Sequence, residues 1–313
     1  MSLKKCPFCN NTEYKIVQDK FRDNSCSKAY KCIKCDLIFS SKLFEISQND
    51  LDSFYEEQYM NDYYVGEKIN ILDNFNDKLP YQFERIKRLK NIIKKNCAIL
   101  DIGCGPGYFL EASKSITDNL TGVEKNKQER KFVSNELNIK CFDDINNLKG
   151  EKFDLITLNQ VLEHIYEPKI FIKQILTLLK KGGHLVIEVP SITNAIVSLY
   201  KSESFKEFWF QDPHLYYYSP FTMKNLLKEF VNEEQIQIEI FQETSFINHY
   251  NWTKFNSKTS NRSEAISNNF PLKLDNNVKH KIENLYEEFN IKYKQILEDN
   301  SFGDTLLAII RKK

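Results

Sequence analysis

AILDIGCGPGYFL, residues 98–110, is an apolar strand running into a turn with Gly103, Gly105 and Gly107 and then into the start of a helix. The chain has only nine glycines in 313 residues, so three within five positions mark main chain that needs their conformational freedom. In an open parallel sheet such a turn lies beyond the carboxyl ends of the strands, where a ligand can rest against bare backbone. The spacing is G-x-G-x-G, with Tyr108 where the dinucleotide fingerprint would place its last glycine, which disfavours a nicotinamide dinucleotide. Asp101 puts a carboxylate under the turn, where it repels a pyrophosphate and favours a cationic ligand.

Outward from this turn, short apolar runs alternate with amphipathic stretches: CAILDIG, LTGVE, IKCFD, FDLITLN and GHLVIEVP, with helices expected at 107–115, 126–137, 168–180 and 221–231. That alternation predicts an α/β fold with a parallel sheet covered on both faces. Glu124 closes the second strand, 21 residues after Gly103, and suits an acceptor for two ribose hydroxyls. Asp143 and Asp144 close the third, where a carboxylate can accept from an adenine amino group. Taken singly, each has a plain alternative: Asp101 as a satisfied turn carboxylate, Glu124 as a helix cap, the aspartate pair as a turn. Their coincidence at the ends of consecutive strands favours a ligand site. IQIEIFQE at 236–243 and DTLLAIIRKK at 304–313 predict two further strands, separated by an excursion that includes a helix at 275–299.

These motifs resemble the class I S-adenosylmethionine-dependent methyltransferases over about residues 80–243 and the last strand. KFDLITLNQVLEHIYEP at 152–168 resembles their fourth-strand motif, and LKKGGHLVIEVPS at 179–191 the helix, turn and fifth strand after it. The resemblance implies a seven-stranded Rossmann-like sheet of order 3-2-1-4-5-7-6 and S-adenosyl-L-methionine as cofactor. It places Asp101, Gly103, Gly105 and Gly107 at the methionine part, Glu124 at the ribose, Asp143 or Asp144 at the adenine, and Asn159, Gln160 and Val161 at the cofactor's edge.

The N-terminus carries a second motif. Five of the eight cysteines fall within the first 35 residues, and Cys6-Pro-Phe-Cys9 and Cys32-Ile-Lys-Cys35 are paired C-x-x-C turns, the arrangement that offers four thiolates to one tetrahedral Zn²⁺. With four protein ligands such a zinc is structural, and about 40 residues bury too little apolar surface to fold without it. Cys26 reads as a spare thiol, and Cys97, Cys104 and Cys141 as small apolar residues. The expected organisation is a zinc ribbon at 1–45, an aromatic connector and helix at 46–95 that includes Tyr59, Tyr63 and Tyr64, and a methyltransferase domain at 96–313 with cap insertions near 191–220 and 244–303.

Lysine plus arginine total 44 against 43 for aspartate plus glutamate, so no global positive field favours nucleic acid. Nor does the ribbon supply one, with nine basic against six acidic side chains over residues 1–50. No apolar run reaches the ~18 residues of a membrane span, and no secretory signal is visible, which sets a cytoplasmic expectation. Methyl transfer from a sulfonium to a hydroxyl needs alignment and a proton acceptor, and His164, His214 and His249 are the candidate bases expected near the strand ends. The aromatic residues between 200 and 252 suggest a water-excluding cap, with a platform for a sugar ring or nucleobase.

A looser likeness joins DPHLYYYSPFTMKNLLKEF, with the ribbon before it, to small-molecule methyltransferases of deoxysugar and surface-polysaccharide (capsule) biosynthesis. Because the chain ends at the seventh strand, O-methylation of a sugar or nucleotide-linked sugar is expected rather than C-methylation. Two other readings are an rRNA or tRNA methyltransferase whose ribbon docks RNA, with Lys4, Lys5, Lys28, Lys31 and Lys34 along the strand path, and a non-catalytic adaptor that keeps the cofactor fold.

Overall fold

A computed structural model describes residues 4–22, 25–58, 71–148, 150–256, 265–266 and 278–313. Its strands are β1 Tyr14–Gln18, β2 Ala29–Cys32, β3 Ile38–Ser40, β4 Ile99–Ile102, β5 Leu120–Val123, β6 Lys140–Phe142, β7 Phe153–Asn159, β8 Leu179–Pro190, β9 Tyr216–Tyr217, β10 Ile236–Phe241 and β11 Thr305–Arg311. The larger sheet has seven strands in the order β10-β11-β8-β7-β4-β5-β6. Renumbered within the sheet, this is the 3-2-1-4-5-7-6 order that the motifs implied.

β4 pairs in parallel with β5 and β7, β5 with β6, and β7 with β8. Every residue of β4 and β5 is buried, as a strand covered on both faces requires. The registers set Asp101 opposite Gly122 on one side and Thr157 on the other, so the carboxyl ends of three strands open at one level. Of the last two strands, β11 runs the other way and β10, antiparallel to it, returns to the common direction. The main chain of Gly182 and Gly183, near the start of β8, exchanges hydrogen bonds with Lys312 beyond the end of β11 (2.8 and 2.9 Å), while Ser191 N–H, past the end of β8, donates to Asp304 C=O before β11 (2.9 Å). Glycine is required at 303, where a Cβ would lie 2.4 Å from Phe241 C=O at the end of β10.

The chain divides into two compact units, one of residues 1–42, 189–223 and 238–307, the other of 43–188, 224–237 and 308–313. In the first unit β1, β2 and β3 form an antiparallel ribbon extended by β9, paired to β3 through Ile38–Tyr217 and Phe39–Tyr216. The ribbon's small core is completed from downstream, with Phe21 and Ala29 packing on Phe210 and Tyr217. Metal binding is therefore not its sole source of folding free energy. Phe210 and Tyr217 of the 191–220 segment pack into the ribbon's core, and Phe205 and Trp252 build a second cluster with Ile196 and Val197.

In the second unit the helix of the 46–95 segment spans Ile71–Arg88, with Pro80 inside it. The other helices lie within a few residues of their expected ends, at Tyr108–Ser113, Lys127–Asn135, Pro168–Leu178, Pro220–Leu227 and Lys279–Asp299. Tyr59, Tyr63 and Tyr64 lie outside the described residues, as does the start of the 275–299 helix. No helix among the described residues is long and apolar enough to cross a membrane.

Candidate cofactor site and metal centre

The glycine turn is built from backbone that residues with a side chain adopt only at a cost. Gly103 and Gly105 have φ of 67° and 54°, and a Cβ on Gly103 would lie 2.5 Å from Val161 Cγ2. Val161 is thus the floor of the turn. The N–H groups of Gly103 and Cys104 both donate to Val123 C=O (2.7 and 3.1 Å), which folds the turn back over β5.

Two carboxylates frame it. Asp101 is buried, and its Oδ1 accepts from Thr157 Oγ1 (2.7 Å) and Asn159 Nδ2 (3.1 Å), both on β7. Burial pushes its carboxyl up to about 7, against the pull of Thr157, Arg85 and Asn159. Glu124 Oε2 accepts from Gly105 N–H and its Oε1 from Asn126 N–H, each at 2.8 Å, so the carboxylate is clamped between the β4 and β5 turns. Each oxygen keeps a further lone pair for a ligand hydroxyl. Burial raises Glu124 above the usual carboxylate range, opposed by those N–H donors and Arg130. Arg130 also donates to the Glu124 and Lys125 carbonyls (2.7 and 2.8 Å), holding the loop in place.

Asp144 caps the turn at 145–147 through Asn146 N–H (2.8 Å) and pairs with Lys125 (3.2 Å), while Asp143 accepts from Asn147 Nδ2 (2.7 Å). Both aspartates carry local structure as well as a candidate adenine role. Gln160 has φ of 59°, and its side chain turns to Glu188 Oε1 (3.3 Å). Asp101, the glycines, Glu124, Asn159 and Val161 are brought together around one turn.

The three histidines differ in their settings. His164 belongs to the same unit as the turn, in the short helix Leu162–His164, and its Nδ1 meets the Tyr55 hydroxyl at 2.8 Å. His214 and His249 belong to the other unit. His214 Nε2 meets Gln211 Nε2 at 2.7 Å. His249 is buried, with Nε2 shared by Gln242 and Thr244 (3.0 and 3.1 Å) and Nδ1 by Tyr293 (2.6 Å). Burial drives its ring down to about 4, so it stands as a neutral connector with both nitrogens engaged. That environment suits packing better than proton transfer.

Four groups were not singled out by sequence reasoning. Glu129 lies 3.8 Å from where a Cβ on Gly105 would stand, and burial followed by the Glu124 charge pushes it to about 8. Glu163 is buried with neither carboxylate oxygen hydrogen-bonded among the described residues, and burial raises it to about 8. Tyr55 pairs with His164 as above. Buried Glu188 is held by Arg85 through Nε (3.0 and 3.1 Å) and Nη2, and Arg85 Nη1 reaches Gln82 Oε1 (2.7 Å). A lone glutamate in the apolar strand GHLVIEVP was the one available signal for this pair. Crowded, partly neutralised carboxylates around exposed main chain form a site that a cationic ligand would stabilise.

The four ribbon cysteines stand together in the first unit, their Sγ atoms all within 4.8 Å of one another. Cys6 and Cys35 are 3.6 Å apart and Cys9 and Cys32 3.5 Å, close to the ~3.8 Å between ligands of a tetrahedral centre with Zn–S bonds of about 2.3 Å. The two knuckles repeat one pattern: Asn10 N–H donates to Cys6 C=O and Asp36 N–H to Cys32 C=O (3.0 and 3.1 Å), with Asn10 and Asp36 at φ of 59° and 60°. Burial pushes Cys6 up to about 11. Cys32 falls to about 7, because N–H groups of Cys35 and Lys34 and the neighbouring thiols outweigh its burial. This donor set fits zinc. Cys26 is exposed and outside the cluster.

The sheet order, the glycine turn and its acidic followers define the class as the S-adenosylmethionine-dependent methyltransferases. Residues 75–230 match a family model described as a methyltransferase domain, and this segment belongs to that family. A ubiquinone biosynthesis O-methyltransferase of Coxiella burnetii (strain Dugway 5J108-111) is 32% identical over 112 residues, 32% of this chain and 47% of that protein. Its namesake from Pelagibacter ubique is 33% identical over 138 residues, 38% of this chain and 55% of that one. The chain thus spans about half the length of these curated relatives. Among solved structures, a SAM-dependent methyltransferase from Archaeoglobus fulgidus is 23% identical, with a TM-score of 0.49, covering 78% of this chain and 100% of that chain. The plantazolicin methyltransferase BpumL in complex with SAH is 20% identical with a TM-score of 0.46, covering 85% and 99%.

Proposed function

We propose that the chain transfers a methyl group from S-adenosylmethionine to a hydroxyl of a small polar acceptor. The observation that carries this reading is the Asp101–Gly107 turn, in which bare main chain is flanked by the buried Asp101 carboxylate and the partly buried Glu124, and clamped to Glu124 through Gly105 N–H. Asp101 would hold the ligand's cationic methionine end, Glu124 its ribose hydroxyls, and Asp143 or Asp144 its adenine. The bound cofactor would supply an intrinsically activated methyl on a sulfonium. The protein's part is then to align an acceptor oxygen and take its proton.

His164 is the favoured proton acceptor, since it shares a unit with the turn and keeps one ring nitrogen close to a hydroxyl partner. Oxygen as the methylated atom is supported by the names of the two relatives. A sugar or nucleotide-linked sugar as acceptor rests on the looser likeness of the ribbon and the post-fifth-strand segment to polysaccharide enzymes. The test is calorimetry with S-adenosylmethionine, followed by mass-spectrometric detection of methyl transfer to a panel of nucleotide sugars and catechols. Binding with an oxygen-methylated product supports the reading, and failure to bind the cofactor removes it.

A further inference from the structure

The turn after β7 sets three polar side chains against one another. Tyr55, in the helical turn Phe54–Gln58, places its hydroxyl 2.8 Å from His164 Nδ1. His164 Nε2 faces Glu163 Oε1 at 3.8 Å, and neither oxygen of that buried carboxylate has a hydrogen-bond partner among the described residues. Two directions are open to the Tyr55–His164 bond, and electrostatics selects one. The Glu163 oxygen that faces Nε2 at 3.8 Å favours a hydrogen on that nitrogen, which leaves Nδ1 to accept from the Tyr55 hydroxyl, and burial, reinforced by the charges of Glu163 and Glu124, keeps that phenol protonated. Nδ1 is then the acceptor, and the neutral ring carries its hydrogen on Nε2, toward Glu163.

We infer that Tyr55 fixes His164 in the Nε2–H tautomer and relays the acceptor's proton to it, with Glu163 placed to take up the charge of the imidazolium. The inference rests on the reading of His164 as the proton acceptor. In that tautomer the only basic nitrogen is Nδ1, already occupied by the Tyr55 proton. As the methyl–sulfur bond breaks and the methyl–oxygen bond forms, the acceptor's proton reaches the ring through Tyr55. The phenol gives its own proton to Nδ1 and receives the acceptor's, and the sulfur leaves uncharged. Glu163 faces the resulting imidazolium from the far side of the ring. Three groups in sequence, each orienting the next, follow the logic of a nucleophile–base–orienter triad. An otherwise unexplained buried carboxylate thereby gains a partner at the moment it is needed.

The test uses the full chain with ¹⁵N-labelled histidine and saturating S-adenosylhomocysteine. His164 is assigned by the signal lost in His164→Gln, and its tautomer is read from long-range ¹H–¹⁵N couplings. The wild type is expected to show Nε2–H alone, and Tyr55→Phe, which keeps the ring that packs on Phe54, a mixture of both tautomers. Affinity for S-adenosylhomocysteine should stay within about twofold, which certifies the fold of the variant. Turnover of any acceptor from the panel should drop about a hundredfold in kcat, with KM for S-adenosylmethionine unchanged. An Nδ1–H ring in the wild type, or a Tyr55→Phe spectrum identical to it, overturns the inference. A chain that binds the cofactor product yet methylates nothing overturns the proposed function instead, and the tautomer still decides the role of Tyr55.

Discussion

Protonation of Asp101 should control cofactor affinity in the neutral range. Its carboxyl sits at about 7 in the ligand-free protein because burial outweighs the Thr157, Asn159 and Arg85 contributions. A cation bound beside it favours the ionised form, so binding draws the proton off and the carboxyl titrates lower in the complex. The sign follows directly: affinity is full above pH 7 and falls as pH drops through 7. For a group titrating at 7, the ionised fraction changes about tenfold between pH 8 and pH 6, or about 1.4 kcal/mol of binding free energy. Calorimetric titration of S-adenosylmethionine at half-unit pH steps reads this out. Glu129 and Glu163 also lie near 8, so the diagnostic quantity is the difference between wild type and Asp101→Asn. The variant should bind more weakly at pH 8 and lose the tenfold slope. The same displacement makes folding pH-dependent in the opposite sense. A carboxyl raised in the folded state stabilises the fold fully below its unfolded range near 4, and that contribution is lost as pH rises through 7. Asp101→Asn should therefore unfold at higher temperature than the wild type at pH 8, with the gap narrowing toward pH 5. Parallel pH profiles for wild type and variant, in affinity and in Tm, would refute the reasoning.

Glu124→Ala should weaken cofactor binding at least tenfold by calorimetry while the circular dichroism spectrum is retained, because two main-chain N–H groups lose their acceptor along with the ligand; unchanged affinity removes the ribose assignment. Arg85→Ala strands a buried carboxylate at Glu188 and should cost about 3–5 kcal/mol in denaturant unfolding, much of it restored by adding Glu188→Gln; a loss below 1 kcal/mol would show the pair to be solvated. Elemental analysis of protein purified without chelator should return one zinc per chain, and Cys32→Ser should lower it. Chelation should destabilise the fold less than it would a free-standing ribbon, because Phe210 and Tyr217 share that core, and a metal-free wild type contradicts the centre.

Strand order was legible because the parallel strands are mainly apolar runs with polar residues near their carboxyl ends, a pattern that stands out in a charged chain. The knuckles were legible because thiolate spacing follows from tetrahedral geometry. The pairing of β9 with the ribbon was hidden, since two tyrosines in an aromatic stretch carry no register, and contacts separated by some 180 residues leave no local trace. Within the site, Asp101, Glu124 and the glycines could be named from position alone. Arg85 could not, because one arginine in a basic helix looks like its neighbours until its partner is known. The three histidines looked equivalent for a related reason: residue type reports capacity to titrate, and the surroundings distinguish His249, a buried neutral connector, from the slightly exposed His164.

The most direct measurement is a crystal structure of the chain with S-adenosylhomocysteine. The account predicts the homocysteine amino group at Asp101, main chain of residues 103–107 against the ligand, and both ribose hydroxyls within hydrogen-bond distance of Glu124. A nucleoside bound elsewhere, or a Glu124 carboxylate still turned only to Gly105 and Asn126 with no ligand hydroxyl near it, would contradict it.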